Sequence, residues 1–348
     1  MVQAVQARGF AEPTTLVELP DPEPGPGEVL VDVLACAVGL TTRNMLRGDL
    51  GDDPRLLPLV PGHELVGTVS GVGPGVTSRW LGQRVTAHFY LFCGLCLRCL
   101  AGEEPLCEAL EGMLGVHRPG ALAEKVCLPA RNLVALPEHL DPVGATVVPD
   151  ALVTPVHVRQ RAGIGPGDRV AVLGAGGGVG VHMVQVARLA GASVVGLDVV
   201  PAKLSALEDR LGIPALDASD LERVRLPGRW REGADVVVDL VGSPATLAWA
   251  TRHLAPGGRL ALLTTFPGIT GSFAPRDLVL RQLAVVGSRH ASRAELHAAA
   301  RLLADGLVDP VVGATGGLPE AGDLLERVVS GAVLGRAAVV VRPVEDQA

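Results

Sequence analysis

Aromatic side chains are scarce in this chain of 348 residues, since Phe, Trp and Tyr together make up 3% of it. We therefore expect the walls of any substrate pocket to be mainly aliphatic. Lysine is also rare, because Lys125 and Lys203 are the two lysines among 30 basic residues. The net charge of −7 argues against a broad nucleic-acid-binding surface.

Long apolar runs are missing too. No uninterrupted apolar stretch approaches the roughly 18 residues that a membrane span needs. The N-terminus starts directly in a strand pattern and lacks the charged-then-apolar order of a secretion signal. We therefore expect a cytoplasmic protein whose partners are a small-molecule substrate and neither membrane nor nucleic acid.

The hydrophobic pattern changes near Thr154 and predicts two domains. Before this point, short alternating segments separated by Gly and Pro predict a β-rich domain. After it, apolar strands alternate with helices, which is typical of a doubly wound parallel sheet in an α/β fold. The strands predicted for this sheet are Arg169–Leu173, Ser193–Asp198, Ala234–Leu240, Arg259–Thr264 and Leu283–Val286.

A glycine-rich turn follows the first of these strands and precedes a helical pattern. Strand, turn and helix in this order predict a nucleotide-binding βα unit, whose glycines let the backbone approach a pyrophosphate at the helix N-terminus. The alternative is a tight turn without a ligand. The residues that we assign to cofactor binding here are Gly174, Gly176, Gly177, Gly178, Val179 and Gly180.

Asp198 ends the second strand, eighteen residues after Gly180. An acid at this place can accept both ribose hydroxyls of NAD and would repel the extra phosphate of NADP, so we expect NAD(H) to be preferred over NADP(H). Lys203 either reaches the same ribose or is solvated. Gly242, after a later strand, is expected at the edge of the cofactor site.

Four of the six cysteines, Cys93, Cys96, Cys99 and Cys107, have the spacing C-x2-C-x2-C-x7-C. Four thiolates close a tetrahedral zinc site and leave no position for substrate, so this spacing predicts one structural zinc. Two disulfides are the alternative, which a cytoplasmic location disfavours. Cys36 and Cys127 lie in apolar strand patterns and are expected to be buried free thiols.

Taken in order along the chain, the motifs resemble the medium-chain dehydrogenase/reductase family, and the zinc-type alcohol dehydrogenases in particular. The resemblance implies a GroES-like catalytic domain of residues 1–152 and 288–348, with a zinc lobe near 90–110, and an inserted Rossmann domain of residues 153–287. It also implies NAD(P)-dependent oxidation of alcohols or reduction of carbonyls, and a homodimer or homotetramer. The segments that carry it are GEVLVDVLACAVG, RGDL, PGHELVGTVSGVG, the four-cysteine lobe, GALAEKV, PDALVTPVH, the glycine-rich turn, GADVVVDLVGS, APGGRL and LGRAAVVV.

Similar enzymes hold a catalytic zinc with a cysteine, the histidine of a GHE motif and a later cysteine or aspartate. His63 matches the histidine, Glu64 the neighbouring glutamate and Asp150 the later acidic ligand. Arg336 matches an arginine that contacts the cofactor pyrophosphate in similar enzymes.

The first zinc ligand is missing, because Gly39 stands where similar enzymes have cysteine. Thr42 stands where an aspartate normally orients the zinc-bound histidine, so a supporting residue is lost as well. Thr41 keeps the hydroxyl that similar enzymes use to pass a proton. Cys36 lies three residues back on a strand and is expected to face the opposite side from Gly39.

Three functions remain open. The first, which we favour, is an oxidoreductase without catalytic zinc, in which Thr41, His63 or Asp150 handles the proton. The second keeps zinc on His63, Asp150 and Glu64. The third is a cofactor-binding module without catalysis. Structural roles are also open: a helix cap for Thr41 or Asp150, an internal hydrogen bond for His63, an arginine partner for Glu64 and a surface position for Arg336.

Overall fold

Glu28–Val38, with valine at every second position from 29 to 33, forms the longest strand of a mixed sheet. The computed structural model describes residues 1–228 and 230–342. The chain divides into two units. Unit 1 comprises Met1–Val153, Ala291–Gly306 and Pro310–Ala348, and unit 2 comprises Thr154–His290 and Leu307–Asp309. Arg229 and residues 343–348, the end of the predicted catalytic domain, lie outside the described residues.

These limits differ slightly from those predicted. Residues 288–290 and 307–309 were expected in the catalytic domain but belong to unit 2, and Val153 belongs to unit 1. Hydrogen bonds explain the difference. The N–H of Ser288 donates to Leu262 in the parallel sheet, and Asp309 both accepts from Arg210 and donates its N–H to Gln185.

Unit 1 is built on a mixed sheet in which the described strands run in the order β14-β15-β3-β4-β5-β7, with β6 also paired to β3 and with β1 and β2 as a separate pair. Valines on alternate positions of β3 are fully buried, and they pack into one apolar core with both flanking strands. Its strands are β1 Val2–Gln6, β2 Thr15–Leu19, β3 Glu28–Val38, β4 Glu64–Val72, β5 Arg84–Ala87, β6 Lys125–Pro129, β7 Leu133–Ala135, β14 Val312–Gly316 and β15 Arg336–Val340.

The helices of unit 1 are short apart from two near its C-terminal end. Its α-helices are α1 Leu40–Leu46, α2 Leu97–Leu100, α3 Pro142–Ala145, α9 Arg293–Ala304 and α10 Ala321–Val329. A π-helix covers Val148–Leu152, and 3₁₀ turns cover Pro54–Leu56, Ser78–Trp80, Glu104–Leu106, Ala130–Asn132 and Leu318–Glu320.

Unit 2 is a parallel sheet in which the described strands follow the order β10-β9-β8-β11-β12-β13. The chain moves outward from β8 to one edge and then returns to build the other half, which is the doubly wound order that was predicted. Its strands are β8 Arg169–Leu173, β9 Ser193–Asp198, β10 Ala215–Asp217, β11 Ala234–Asp239, β12 Leu254–Leu262 and β13 Ala284–Gly287. Its helices are α4 Val153–Arg161, of which only the first residue belongs to unit 1, α5 Gly180–Leu189, α6 Pro201–Asp209, α7 Pro244–His253 and α8 Pro275–Leu280.

Apolar burial explains why β8 lies at the centre of this sheet. Its residues 170–173 are fully buried, and Ala171 and Leu173 pack with β9, β11 and the buried Trp249 of α7 into one core. A continuous apolar run of this kind is typical of a parallel strand covered on both faces. No described helix combines the length and the apolarity that crossing a bilayer requires.

Candidate active site and metal centre

The loop before β4 positions His63. Gly62 has a φ of +99°, in the left-handed region that favours glycine. A Cβ at this position would lie 2.8 Å from Cγ of Leu122 and 3.0 Å from Sγ of Cys36. The N–H of Ala121 donates to the carbonyl of Gly62 over 2.9 Å. A closely packed glycine therefore delivers His63 to a buried position, where it is 1% exposed.

Strand register brings three further residues to the same place. β3 lies between β15 and β4, and both neighbours run antiparallel to it. The register of β15 places Arg336 opposite Gly39, the residue that follows β3, while Glu64 pairs with Ala37. Residues that pair, and residues two apart on one strand, share a face of the sheet. Glu64, Gly39 and Arg336 are therefore on one face, at the end of β3.

Arg336 lies between two carboxylates, and we call Glu64, Asp150 and Arg336 the carboxylate–arginine cluster. Its Nη2 donates to Oδ2 of Asp150 over 2.6 Å. Its Nε is 2.9 Å from Oε2 of Glu64, an ion pair whose atoms are not aligned for a hydrogen bond. The three side chains are at most 13% exposed. Asp150 lies within the π-helix, a rare element that is frequent at functional sites.

His63 borders this cluster. Its Nε2 is 3.8 Å from Oε1 of Glu64 and 3.9 Å from Oδ2 of Asp150, and it has no hydrogen-bond partner among the described residues. The ring packs at 4.5 Å, centroid to centroid, against Phe89. The imidazole is therefore held by packing and its inner nitrogen faces two acids, which suits a group that exchanges a proton.

Burial dominates the electrostatics of the cluster. It raises the pKa of Glu64 to about 7, because the charged carboxylate loses its water, while Arg336 acts in the opposite direction. Burial alone would lower the pKa of Arg336, but Glu64 and Asp150 outweigh it, so that the pKa of the guanidinium is raised. The guanidinium therefore stays charged, and Glu64 can take up a proton near neutral pH.

The cluster, together with His63, meets one requirement of a zinc site. Donor atoms of His63, Glu64 and Asp150 lie within 4.8 Å of one another, a spacing that a metal ion could bridge. However, both carboxylates already contact Arg336, and Gly39 supplies no donor. Catalytic zinc sites in proteins use three firm protein ligands. In this arrangement the residues do not fit a resident catalytic zinc.

Several of the open structural roles can now be decided. The N-cap of α1 is Gly39, and Thr41 lies inside the helix, so Thr41 is not its cap. Asp150 is not a helix cap either, because it lies inside the π-helix and its carboxylate binds Arg336. A surface position for Arg336 is wrong, since it is 6% exposed. Glu64 is an arginine partner, as the alternative role proposed.

Two buried polar residues, one in each unit, were missed or passed over. Thr42 was considered only as the replacement of an aspartate. It is 2% exposed, and its Oγ1 has no hydrogen-bond partner among the described residues. Asp239, at the end of β11, is fully buried, and its Oδ1 accepts the N–H groups of Val241 and Gly242. An acid directly after three valines was the available sequence signal. Asp239 shapes the turn in which Gly242 has a φ of +68°.

The cysteine lobe, residues 93–107, gathers its four thiols as the spacing predicted. All six cysteines lie in the described part of the chain and are free, which excludes the two disulfides in this structure. Sulfur–sulfur distances are 3.5 Å for Cys96–Cys99 and 3.9 Å for both Cys93–Cys99 and Cys96–Cys107. Tetrahedral zinc with Zn–S bonds of about 2.3 Å needs sulfurs about 3.8 Å apart. These residues fit a structural zinc.

Backbone donors favour the thiolate at two of these cysteines, whereas burial raises the pKa of Cys99 to about 12. N–H groups of Leu95 and Cys96 point to the sulfur of Cys93 and lower its pKa, and the N–H of Cys99 lowers the pKa of Cys96 to about 6. A lowered pKa favours the thiolate, the form that binds zinc. Cys36 is fully buried, and Cys127 lies on β6 outside the lobe.

The glycine-rich turn of unit 2 has two positions that demand glycine. Gly174 directly follows β8 with a φ of +78°, in the left-handed region that favours glycine. A Cβ on Gly180 would overlap the carbonyl oxygen of Gly174. By contrast, a Cβ on Gly177 would meet that oxygen at 3.3 Å, a tight but adjustable distance. The turn thus packs against the start of α5, as a phosphate-binding turn requires.

The other residues of the turn pack against His182 of α5 and against Lys203. Gly178 and Val179 lead into α5, and the carbonyl of Gly178 bonds to Nδ1 of His182 over 2.7 Å. A Cβ on Gly176 would lie 2.6 Å from Cβ of Lys203, whose stem covers the turn. Their contacts with a cofactor stay predictions.

Asp198 is held firmly at the end of β9. Its Oδ2 accepts the N–H of Gly176 at 2.8 Å, and its Oδ1 accepts those of Val199 and Val200 at 2.8 and 3.1 Å. A carboxylate has about four lone-pair sites, so about one remains for a ligand. Lys203 is buried beside it, and loss of water lowers the lysine pKa. Asp198 thus offers a fixed negative charge and fewer free acceptor sites than bidentate binding of ribose would use.

Comparison with known proteins now adds the family. Sequence models of an "Alcohol dehydrogenase GroES-like domain" and a "Zinc-binding dehydrogenase" match residues 25–138 and 178–305. Acryloyl-coenzyme A reductase of Metallosphaera sedula is 32% identical over 325 residues, which cover 92% of this chain and 94% of that protein. An alcohol dehydrogenase of Geobacillus stearothermophilus is 32% identical over 345 residues, which cover 96% and 98%. A solved NAD-dependent alcohol dehydrogenase is 34% identical with a TM-score of 0.89, covering 98% of this chain and all of that one.

The chain belongs to the medium-chain dehydrogenase/reductase family, in its zinc-type alcohol dehydrogenase group. This confirms the predicted family and fold class, a GroES-like sheet combined with a Rossmann sheet. The protein is an NAD(P)-dependent oxidoreductase of the alcohol dehydrogenase type.

The cysteine lobe generates a first prediction. Cys99→Ser should reduce bound zinc from one atom per chain towards none and lower the midpoint of thermal unfolding by roughly 5 °C, the effect of about 2 kcal/mol in a domain of this size. Cys127→Ser is the matched control and should keep both values. Elemental analysis and calorimetry measure them. Full zinc content in the Cys99→Ser dehydrogenase would disprove the four-thiolate site.

The nucleotide turn generates a second prediction. Gly180→Ala should weaken NADH binding at least about tenfold, because its methyl group would displace the Gly174 carbonyl and with it the turn. Gly177→Ala adds the same methyl group where there is more room and should bind NADH within about threefold of wild type. Fluorescence titration with NADH measures both, and equal losses in the two variants would contradict the assignment.

Proposed function

We propose that this dehydrogenase is an NAD(H)-dependent oxidoreductase that works without catalytic zinc. The observation that carries the proposal is that Arg336 holds both carboxylates, Glu64 and Asp150, while Gly39 supplies no donor, so that among the described residues of this site His63 is left as the one free ligand for zinc. The substrate is a small carbonyl or alcohol, or a compound with an activated C=C or C=N bond. The similarity to acryloyl-coenzyme A reductase supports including carbon–carbon double bonds conjugated to a thioester.

When bound, NAD(H) would supply the hydride for a reduction or accept it in an oxidation. In the reduction a proton must reach the carbonyl oxygen, or the carbon next to the carbonyl when a conjugated double bond is reduced, and in the oxidation the hydroxyl proton must leave. His63 is the residue that we assign to this transfer, because Nε2 is buried, lacks a partner among the described residues and faces two carboxylates. Thr41, half-buried in the first turn of α1, is the second candidate, and Asp150 is less suited because it binds Arg336.

A zinc-dependent alcohol dehydrogenase is the rival function, and the spacing of donor atoms on His63, Glu64 and Asp150 favours it. A cofactor-binding module without catalysis is the other rival. Turnover separates the module from both enzymes, and metal content separates the two enzymes. The assay is a panel of alcohols, ketones, enones and unsaturated thioesters with NADH and NADPH and, for the alcohols, with NAD⁺ and NADP⁺.

The cofactor preference is a third prediction. Asp198 should favour NADH mainly by repelling the 2′-phosphate of NADPH, since about three of its four lone-pair sites are already used. Asp198→Ala should lower the ratio of the NADPH Kd to the NADH Kd by roughly tenfold, about 1.4 kcal/mol. Asp209→Ala removes an exposed charge from the far end of α6 and should leave the ratio unchanged. Tighter binding of NADPH than of NADH to the unmodified chain would contradict the predicted preference for NAD(H).

Metal content is a fourth prediction. The unmodified enzyme should contain one zinc per chain, held by Cys93, Cys96, Cys99 and Cys107. Brief treatment with a chelator that leaves this zinc in place should not reduce turnover, because no step requires a second metal. Elemental analysis before and after treatment, with the rate measured on the same sample, is the experiment. Two zinc atoms per chain, with activity lost as one is removed, would establish the zinc-dependent rival.

A further inference from the structure

We propose that Arg336 is the resident cation of this site: its guanidinium fills the space that Gly39 leaves, holds the carboxylates of Glu64 and Asp150, and excludes a divalent metal. The inference rests on the proposed zinc-free function and gives its physical cause. It makes Arg336 a positioning residue of the same site, with its side chain directed into unit 1.

The space argument concerns position 39. A Cβ there would overlap Nη1 of Arg336 and lie 2.9 Å from its Cζ, and it would lie 3.4 Å from Oε1 of Glu64. The backbone of Gly39 is extended, with a φ of −150° and a ψ of −172°, so alanine can adopt it without strain. The arginine head group is therefore the main obstacle to any side chain at this position. A ligand-bearing residue at 39 and the guanidinium in its present place exclude each other.

The second argument concerns charge. Arg336 lies 2.6 Å from Oδ2 of Asp150 and 2.9 Å from Oε2 of Glu64, so its single charge is shared by two buried carboxylates. A divalent ion bound by the same acids would have to break these contacts or lie beside a positive charge in a site of low dielectric. Guanidinium is always protonated and matches carboxylate geometry, so it can neutralise acids permanently without offering an open coordination position.

The third argument concerns His63. Its Nε2 lies within 4 Å of Oε1 of Glu64, whose other oxygen contacts Arg336. It also lies within 4 Å of Oδ2 of Asp150, the same atom that Arg336 contacts. The arginine thus positions both acids around the imidazole. A metal would instead take the imidazole nitrogen as a ligand and remove it from proton exchange. Arg336 keeps this nitrogen available.

Metal binding tests the assignment without depending on activity. The full chain carrying its lobe zinc is dialysed against micromolar Zn²⁺, and zinc per chain is measured in four proteins: wild type, Arg336→Met, Gly39→Ala and Gly322→Ala. Arg336→Met removes the charge at similar length. Gly39→Ala displaces the guanidinium but adds no ligand. Gly322→Ala is the matched control, because the nearest atom to its added methyl group is 4.0 Å away.

We expect one zinc per chain in wild type and Gly322→Ala, and close to two in Arg336→Met and Gly39→Ala. Adding His63→Ala to Arg336→Met should return the value to one, which locates the second metal. One zinc in both Arg336→Met and Gly39→Ala would overturn the role of Arg336 but leave the zinc-free function standing. Two in the wild type would overturn the zinc-free function itself. A gain in Arg336→Met alone would refute the part assigned to Gly39, and Gly39→Ala decides the matter if Arg336→Met does not fold.

Discussion

The ion pairs of Arg336 with Glu64 and Asp150 are the interaction on which the candidate site of unit 1 depends. Three buried ionisable groups lose most of their hydration, and removing one partner from such a set typically costs about 3–5 kcal/mol because an uncompensated charge remains. The arrangement lowers this cost in two ways. The guanidinium serves two acids at once, and Glu64, with a pKa raised to about 7, can share a proton near neutral pH.

Sheet geometry supplies this arrangement. Arg336 begins β15, Glu64 begins β4, and Gly39 follows the end of β3, which lies between them. Because both neighbours are antiparallel to β3, their first residues meet its last ones on one face. Asp150 joins from the π-helix, whose wider turn shifts the register of the side chains. Strand register thus brings Gly39, Glu64 and Arg336 together, although they lie far apart along the chain.

Gly180 and Gly39 both leave space that a neighbouring group occupies, but the two neighbouring groups differ. At Gly180 the atom in the way of a Cβ is a backbone carbonyl, which cannot move without loss of the turn. At Gly39 it is the end of a long side chain, which can move but would then leave two carboxylates unpaired. The first glycine preserves a fold element and the second preserves a distribution of charge. Neither depends on the left-handed conformation that explains Gly174 and Gly62.

Most strands were predictable, because burial on one or both faces leaves a period of two or a continuous apolar run. β10 was missed, since three residues at the edge of a sheet are too short for a period to be read. β12 was expected to start at Arg259, because Pro256-Gly257-Gly258 resembles a turn. It starts at Leu254 instead, and the pairing with β11 absorbs these residues as a register shift.

The sequence by itself determined the two-part architecture, the cysteine lobe, the nucleotide turn and the absence of a ligand at Gly39, because each is carried by residue type and local spacing. It also named Arg336 as a contact of the cofactor pyrophosphate, which stays a prediction. Only the tertiary structure placed this arginine between Glu64 and Asp150, in the space beside Gly39. The physical reason is that this contact depends on the register of three strands. The sequence shows that Gly39 has no side chain, but it does not show which other residue fills the space that remains.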